Sequence, residues 1–309
     1  FLPESGTVAS FCAQVEASDP GKGLWRLRNS QFNKIYYNPA VTYGPWVGLD
    51  GNGNPFTNQD PTNASANPYL GNAKTIDLTS PVNTRCDNGV FIAKHYTWTD
   101  IDDPVNCPNN VVGRVDGTSP VTFPGGTCTE GTLVEIKPAA SGGADTYPRG
   151  SNRTDCAGLV CTYTEEMQNF ANFYSYARSR HYTAKSALGS VLAAAQNMRV
   201  GFGAFGGKND NINVNELNES PLTGNKGALL DRLYRNDPAS NSTPIRSSLE
   251  QTGRYFACES SGTIITSGAT CPVLPAPEGN CQQNFALVVT AGFWNANGPS
   301  NSIGSDDSD

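Results

Sequence analysis

The stretch FALVVTAGFWN, residues 285–295, has the residue types expected of a ligand-binding strand end. Its apolar run predicts a strand buried on both faces, as in parallel sheets. In open α/β sheets, ligands bind just beyond the carboxyl ends of such strands. Two large aromatic residues, Phe293 and Trp294, follow the predicted strand, but Ala291 stands at its end. A polar residue would be expected where a ligand-binding strand stops, and the sequence has an alanine there.

Three other motifs resemble binding sites, but each is better explained by a structural role. The sequence GFGAFG at 201–206 matches the glycine pattern of dinucleotide loops. That motif must follow a strand and open a helix, whereas these glycines lie inside a predicted strand. The sequence DGNGN at 50–54 resembles the start of a calcium loop, but Pro55 and Pro61 replace the required glycine and glutamate, so we expect a turn. The acidic ending GSDDSD predicts a solvated tail.

The sequence marks no set of residues for hydrolytic catalysis; carboxylates are present, but none is marked as a catalytic pair by its setting. There is no G-x-S-x-G nucleophile elbow, and His95 and His181 are the two histidines of the chain. His181 lies on the apolar stripe of a predicted helix, so we expect a core or interface residue. The chain is therefore predicted not to be an enzyme.

The composition excludes two classes of function. The chain has 309 residues with a formal net charge of −7, and charged residues make up 16% of it. Nucleic-acid binding would need a basic stripe, and the sequence has no run of Lys and Arg. No apolar stretch approaches the roughly 20 residues of a membrane span. We therefore predict neither a nucleic-acid partner nor a membrane span.

The cysteine count indicates an oxidising compartment. Nine cysteines without a C-x-x-C pair favour disulfides over a zinc site. Cys156 and Cys161 are close enough to close a small loop, and we expect them to pair. In the late cluster of Cys258, Cys271 and Cys281, two can pair with each other, and we expect the third to find a partner outside the cluster.

The two halves of the chain differ in kind. Residues 1–162 are turn-rich, and GVFIAKHYTW and GTLVEIKP alternate enough to be strands. We predict an irregular, disulfide-stapled β and loop region there. Residues 163–309 carry helical patterns, starting at a capping box formed by Thr162 and Glu165.

The second half predicts an α/β layered domain. One helix of about 30 residues should follow the capping box, because apolar residues from Met167 to Ala195 recur at three- and four-residue steps. A strand at 199–205 and a short helix at 227–236 come next. Ser242-Thr243-Pro244 should open another helix with a hydroxyl cap, whose apolar face would carry Ile245, Leu249 and Phe256. Helices alternating with strands are typical of such domains.

Six blocks of sequence, in one order, resemble the type IV pilus tip-associated adhesins of the PilC/PilY kind. The blocks lie at 31–56, 165–189 (EEMQNFANFYSYARSRHYTAKSALG), 199–205 (RVGFGAF), 229–234 (LLDRLY), 243–256 (TPIRSSLEQTGRYF) and 285–295. The resemblance implies a von Willebrand factor A-like domain with a large family-specific insertion. It also implies that this chain corresponds to an N-terminal part of a longer protein that continues into a β-propeller.

The resemblance further implies a divalent-ion site at the sheet edge, built from a D-x-S-x-S loop, a threonine and an aspartate. Thr243 matches the threonine, and Ala291 stands where the family has aspartate, within Thr290–Asn295. The sequence contains no D-x-S-x-S, which would lie upstream of Phe1. We therefore expect no cofactor in this chain as it stands, with Mg²⁺ or Ca²⁺ possible in the full-length protein.

The function implied by the resemblance is that of an extracellular pilus tip adhesin and pilus biogenesis factor. Its expected partners are minor pilins of the tip complex and surface or host ligands, contacted in part through Phe293, Trp294 and Asn295. The expected location is the cell surface at the pilus tip, reached through the periplasm. The alternative is a structural filament or tip component that recognises no ligand.

Overall fold

The computed structural model describes residues 28–71, 73–80, 82–83, 90–91, 93–97, 132–205, 211–236 and 243–290. These residues belong to two compact units. The first unit contains the described parts of Phe1–Pro45, Thr57–Asn67 and Asn72–Thr183, and the second those of Trp46–Phe56, Pro68–Gly71 and Ala184–Asp309. The domain boundary predicted between residues 162 and 163 is based on sequence composition, whereas these units are defined by contacts. That boundary stays a prediction.

Within the described ranges the chain forms four α-helices, ten short strands and two 3₁₀ turns. The helices are α1 (Tyr163–Tyr176), α2 (Arg180–Ala194), α3 (Gly224–Arg235) and α4 (Ile245–Phe256). The strands are β1 (Ala64–Ser65), β2 (Thr75–Ile76), β3 (Val82–Asn83), β4 (Val90–Phe91), β5 (Lys94–Thr97), β6 (Thr132–Glu135), β7 (Thr146–Pro148), β8 (Val160–Thr162), β9 (Arg199–Phe202) and β10 (Ile212–Glu216). The 3₁₀ turns are Ala139–Ser141 and Glu278–Cys281.

The described strands pair in chain order as five two-stranded antiparallel sheets. Strands β5 and β6 come from the two segments predicted to be strands in the first half, with Lys94 opposite Glu135 and Thr97 opposite Thr132. The strand predicted at 199–205 is β9, and the helix predicted at 227–236 is α3. The von Willebrand factor A-like architecture stays a prediction.

Helix α1 begins at the predicted capping box. The Glu165 backbone N–H donates to the Thr162 hydroxyl at 3.3 Å, and the Glu165 carboxylate accepts the Thr162 backbone N–H at 2.8 Å. The two residues therefore satisfy each other's free donors at the helix start. This local prediction is confirmed.

The single long helix predicted after the capping box is wrong, because the chain forms two helices. Helix α1 ends at Tyr176, and Ser179 begins the next turn by accepting the Tyr182 backbone N–H on its hydroxyl at 3.2 Å. A serine hydroxyl that caps a new helix competes with continuation of the old one. The apolar stripe is also incomplete in α2, where Val191 is 67% exposed.

The buried strand predicted at 285–290 is also wrong. These residues lie in neither helix nor strand, and Phe285 and Leu287 are each 82% exposed. A strand buried on both faces needs neighbouring elements on both sides. Among the described residues, β9 pairs with β10 and not with 285–290. Residues 285–290 and the strand predicted at 199–205 therefore share no sheet in the described part of the chain.

Helix α4 lies where it was predicted, but its start and its apolar face differ from the prediction. Pro244 is the N-cap residue, and no side chain caps the helix; the Thr243 backbone carbonyl accepts the Ile245 N–H at 2.9 Å. Leu249, expected on the apolar face, is exposed. The buried side chains of the helix are Ser248, Glu250 and Tyr255.

The first unit is built on a buried polar network between α1 and earlier segments. The Glu166 carboxylate accepts the Tyr37 hydroxyl and Arg153 Nη1, each at 2.7 Å, and both side chains of the ion pair are fully buried. Arg153 also donates through Nε and Nη2 to Asp155 at 2.7 and 2.9 Å and through Nη1 to the Pro39 carbonyl at 3.0 Å. Burial and the Glu166 carboxylate raise the pKa of Tyr37, so that its hydroxyl remains a donor.

Two asparagines on the same helix fix a loop segment of the first unit. Asn169 accepts the Tyr43 N–H at 2.7 Å and donates to the Val41 carbonyl at 2.9 Å. Asn172 accepts the Gln59 N–H at 3.0 Å and donates to the Tyr43 carbonyl at 2.8 Å. Buried backbone groups need partners, and here amide side chains supply them in place of a sheet.

An aromatic cluster packs beside this network. The Tyr37 ring lies 5.0 Å from Phe170, 5.5 Å from Phe173 and 5.7 Å from Tyr43 between ring centroids. The pairs with Phe170 and Phe173 meet edge to face, and the pair with Tyr43 is stacked; both arrangements add to the energy of apolar burial. The buried His95 ring on β5 lies 5.6 Å from the Tyr37 ring.

The second unit has its own aromatic core. Trp46 stacks on Tyr234 at 4.7 Å with an interplanar angle of 4°, and Phe56 meets the edge of both rings. The Tyr234 hydroxyl donates to the Val47 carbonyl at 2.8 Å. Gly189 allows this approach, since a Cβ there would lie 2.1 Å from that hydroxyl.

A buried lysine satisfies the end of α2 within the second unit. Lys226 Nζ donates to the carbonyls of Ala195 at 2.8 Å, Ala193 at 3.1 Å and Glu219 at 3.3 Å. The last carbonyls of a helix have no partners within the helix and carry partial negative charge, so that a cation there is favourable. Lys226 on α3 thereby ties the end of α2 to the start of α3.

The buried imidazole of His95 predicts acid sensitivity of the first unit. Its Nδ1 has no hydrogen-bond partner among the described residues, and burial lowers its pKa to about 4. The unfolded chain takes up this proton below about pH 6.5, whereas the folded chain does so only below about pH 4. Stability from this residue is therefore complete above pH 6.5 and falls, by about 3 kcal/mol in total, as the pH drops to 4.

Urea unfolding between pH 7 and 4 measures this loss. His95→Phe should flatten the pH dependence of the unfolding free energy over that range, and His181→Gln, on half-buried α2 surface, serves as the control. Equal slopes for the wild type and His95→Phe would contradict the assignment.

Candidate functional site

The predicted ion site is not assembled among the described residues. Thr243 is half-buried and precedes α4, whereas Ala291, Phe293, Trp294 and Asn295 lie outside the described residues. The described part of the chain contains no group of three or more His, Cys, Asp or Glu placed to hold a metal ion. A neutral threonine hydroxyl and an alanine do not supply the carboxylate oxygens that Mg²⁺ or Ca²⁺ requires, so this donor set does not fit the ion.

We expect Thr243 to make no contribution to divalent-ion binding by this chain. Titration calorimetry with Mg²⁺, Mn²⁺ and Ca²⁺ should give the same heats for the wild type and Thr243→Ala. Micromolar binding that is lost in Thr243→Ala would show that other ligands complete the site.

The described cysteines form two disulfides, one between buried and one between exposed residues. Cys156 and Cys161, expected to pair from their spacing, are bonded and buried beside α1. In the late cluster, Cys258 is bonded to Cys271, as expected for two of the three, and Cys281 carries a free, exposed thiol. The expectation that the third cysteine pairs outside the cluster is therefore wrong. The other cysteines, Cys12, Cys86, Cys107 and Cys128, lie outside the described residues.

A cleft of about 390 Å³ lies in the second unit, between the loop that follows Trp46 and the start of α3. Glycines at 51, 53, 224 and 227 line it, so that main chain is accessible on its walls. Two carboxylate residues, Asp50 and Asp231, come from opposite sides. This combination gives the cleft an acidic character.

The Asp50 side of the cleft is a turn held by its own side chain. Asp50 Oδ1 accepts the backbone N–H groups of Asn52 at 2.9 Å and Asn54 at 2.8 Å. Such side-chain bonds to the following backbone stabilise tight turns. The turn expected at 50–54, in place of a calcium loop, is confirmed.

The Asp231 side of the cleft carries a fixed carboxylate. The Tyr69 hydroxyl donates to Asp231 Oδ1 at 2.7 Å, and Arg235 lies 3.6 Å from Oδ2 one turn further along α3. Burial, followed by the contact with Asp231, raises the pKa of Tyr69 to about 12. The tyrosine therefore remains a donor that orients the carboxylate. Chemically, the cleft can receive a cationic group.

Sequence reasoning did not find this cleft. Asp50 belongs to the DGNGN motif, which predicts a turn, and Asp231 lies in the resemblance block at 229–234, to which no chemistry is assigned. The two residues are far apart in the chain, and only the packing of the second unit puts them on one cleft. No local signal could have paired them.

The described residues include no helix that combines the length and the apolar character needed to cross a membrane.

Comparisons with known proteins find similarity to one class, the type IV pilus biogenesis factors. The chain is 26% identical over 149 residues to the type IV pilus biogenesis factor PilY1 of Pseudomonas aeruginosa strain UCBPP-PA14. It is also 26% identical over 159 residues to PilY1 of Pseudomonas aeruginosa strain PAO1. Each match covers 47% of this chain, and this chain covers 12% and 13% of the two relatives. No family model matches the chain, and no solved structure matches it.

The chain is thus distantly similar to part of PilY1. The similarity supports a role related to type IV pilus biogenesis.

Proposed function

We propose that this chain is part of an extracellular type IV pilus tip adhesin that also serves pilus biogenesis. The observation that carries the proposal is the similarity to PilY1 from two strains over about half of the chain. The PilY1 name states pilus biogenesis for those proteins; adhesion and tip location belong to our proposal for this chain.

The resemblance blocks contain the residues on which the described cores depend. The first block supplies Tyr37 to the polar network of the first unit, and it supplies Trp46 to the aromatic core of the second. The second block supplies Glu166, and the fourth supplies Tyr234. Resemblance at core-building positions supports a shared scaffold, which we propose to be the von Willebrand factor A-like domain with its insertion.

The proposed partners are minor pilins of the tip complex and surface or host ligands. An acidic chain with at least two disulfides suits an extracellular location reached through the periplasm. We propose a binding role without catalysis, and the acidic cleft is a testable contact for a basic side chain of a pilin.

Binding to purified, soluble domains of minor pilins tests the proposal. Immobilised minor pilins should bind the chain at roughly micromolar affinity or tighter, as transient specific interfaces do, and the major pilin serves as the control surface. Asp231→Asn tests the cleft, and Asp77→Asn, at a half-buried aspartate of the first unit, is its control. Weaker binding by Asp231→Asn alone would assign the contact to the cleft.

Equal binding to minor and major pilins, or no binding to either, would contradict the proposed partner. Retention of the chain in purified pili without binding to host or abiotic surfaces would favour the structural alternative. If both aspartate variants bound minor pilins with the same affinity, the minor pilins would remain the proposed partner, but Asp231 would not be part of the contact.

A further inference from the structure

The two described disulfides differ in their accessibility to a thiol. Cys156 is 4% exposed and Cys161 is fully buried, so that no thiolate from solvent can reach their bond. Cys258, Cys271 and Cys281 are all exposed. Exchange requires access of a thiolate to a disulfide sulfur, and exposed bonds are the labile ones. The late cluster therefore combines an accessible disulfide with an accessible thiol.

The free thiol of Cys281 lies in a segment that is hydrogen-bonded to the residues just after Cys271. Gln282 follows Cys281, and its Nε2 donates to the Pro272 carbonyl at 2.9 Å while its Oε1 accepts the Leu274 N–H at 3.0 Å. Gly279 lies so close to Leu274 that a Cβ on it would be 1.8 Å from the Leu274 carbonyl oxygen. Cys281 directly precedes Gln282, and Cys271 directly precedes Pro272, so the two cysteines flank the hydrogen bond between these residues.

The third cysteine is fixed at the end of α4. Cys258 has φ +58°, and its N–H donates to the Tyr255 carbonyl at 3.0 Å, while the Glu259 N–H donates to the Arg254 carbonyl at 3.0 Å. This pair of bonds is the Schellman ending of a helix, in which the left-handed position usually holds glycine. The Cys258–Cys271 bond therefore joins a helix end to the loop that also carries Cys281.

We propose that Cys258, Cys271 and Cys281 form a thiol–disulfide exchange set with two covalent isomers. The Cys281 thiolate attacks Sγ of Cys271, a Cys271–Cys281 bond forms, and the Cys258–Cys271 bond breaks. The Cys258 sulfur leaves with the electron pair and takes up the proton that Cys281 gave up. The number of disulfides is unchanged, so the step needs no oxidant or reductant. In one isomer the loop is tied to α4, and in the other it is tied to itself.

Peptide mapping under non-reducing conditions tests the exchange. The chain is incubated at pH 8, quenched in acid at successive times, blocked with N-ethylmaleimide and cleaved after glutamate. Cleavage after Glu259 and Glu278 places the three cysteines on separate peptides. We expect a Cys258–Cys271 species with labelled Cys281 and a Cys271–Cys281 species with labelled Cys258, in proportions that approach a constant ratio. Approach to that ratio should be slower at pH 5, since the thiolate is the attacking species.

Variants separate exchange within the cluster from other chemistry. Cys281→Ser should abolish the second isomer, and Gln282→Ala should slow its formation severalfold because its hydrogen bonds to Pro272 and Leu274 are lost. Gln283→Ala, at the exposed neighbouring position, should leave the rate unchanged. The Cys156–Cys161 bond is an internal control and should appear unexchanged at all times.

Three results would overturn the proposal. The first is a map with Cys258–Cys271 alone and Cys281 labelled in every molecule at every time. The second is Cys281 joined to Cys12, Cys86, Cys107 or Cys128. The third is a rate that falls on dilution of the protein, since exchange between molecules depends on concentration and exchange within one molecule does not.

Discussion

The buried ion pair between Arg153 and Glu166 is the interaction on which the first unit depends. Removing two charges from water costs several kcal/mol per ion unless their remaining hydrogen-bonding positions are filled. Here they are filled, since Glu166 accepts from Tyr37, and Arg153 is bound by Asp155 and the Pro39 carbonyl. The pair therefore requires the segment that carries Tyr37 and Pro39 to stay in place. Loss of Arg153 would leave the buried Glu166 carboxylate with the Tyr37 hydroxyl but no cation, whereas loss of Glu166 would leave Arg153 with Asp155.

The same helix extends this dependence along its length. Asn169 and Asn172 bind main-chain groups of Val41, Tyr43 and Gln59, so these side chains supply hydrogen bonds that strand pairing would supply in a sheet. A scaffold of this type leaves its loops available to present binding groups. That property suits a tip protein, for which binding, not catalysis, is the proposed role.

The sequence predicted those features whose cause is local. The capping box at Thr162, the helix α3 and the Cys156–Cys161 bond depend on residues a few positions apart. The break before α2 was missed because apolar spacing continues across it, while one hydroxyl, on Ser179, caps the new helix. The burial predicted at 285–290 was wrong, because an apolar sequence is buried only where other elements pack against it, and the sequence of the run does not determine whether they do. The polar network was missed because its bonds span up to 132 positions.

A double-mutant cycle on Arg153→Met and Glu166→Gln tests the central claim most directly. Both changes roughly keep side-chain volume, and unfolding free energies are measured for the wild type, both single variants and the double variant. Arg153→Met should lose about 3–5 kcal/mol, because it leaves the buried Glu166 carboxylate without a cation. Glu166→Gln should lose less, because Arg153 keeps Asp155, and the double variant should lose much less than the sum of the two. Losses that add to within about 0.5 kcal/mol would contradict the claim, since they would show that the two side chains stabilise the unit independently.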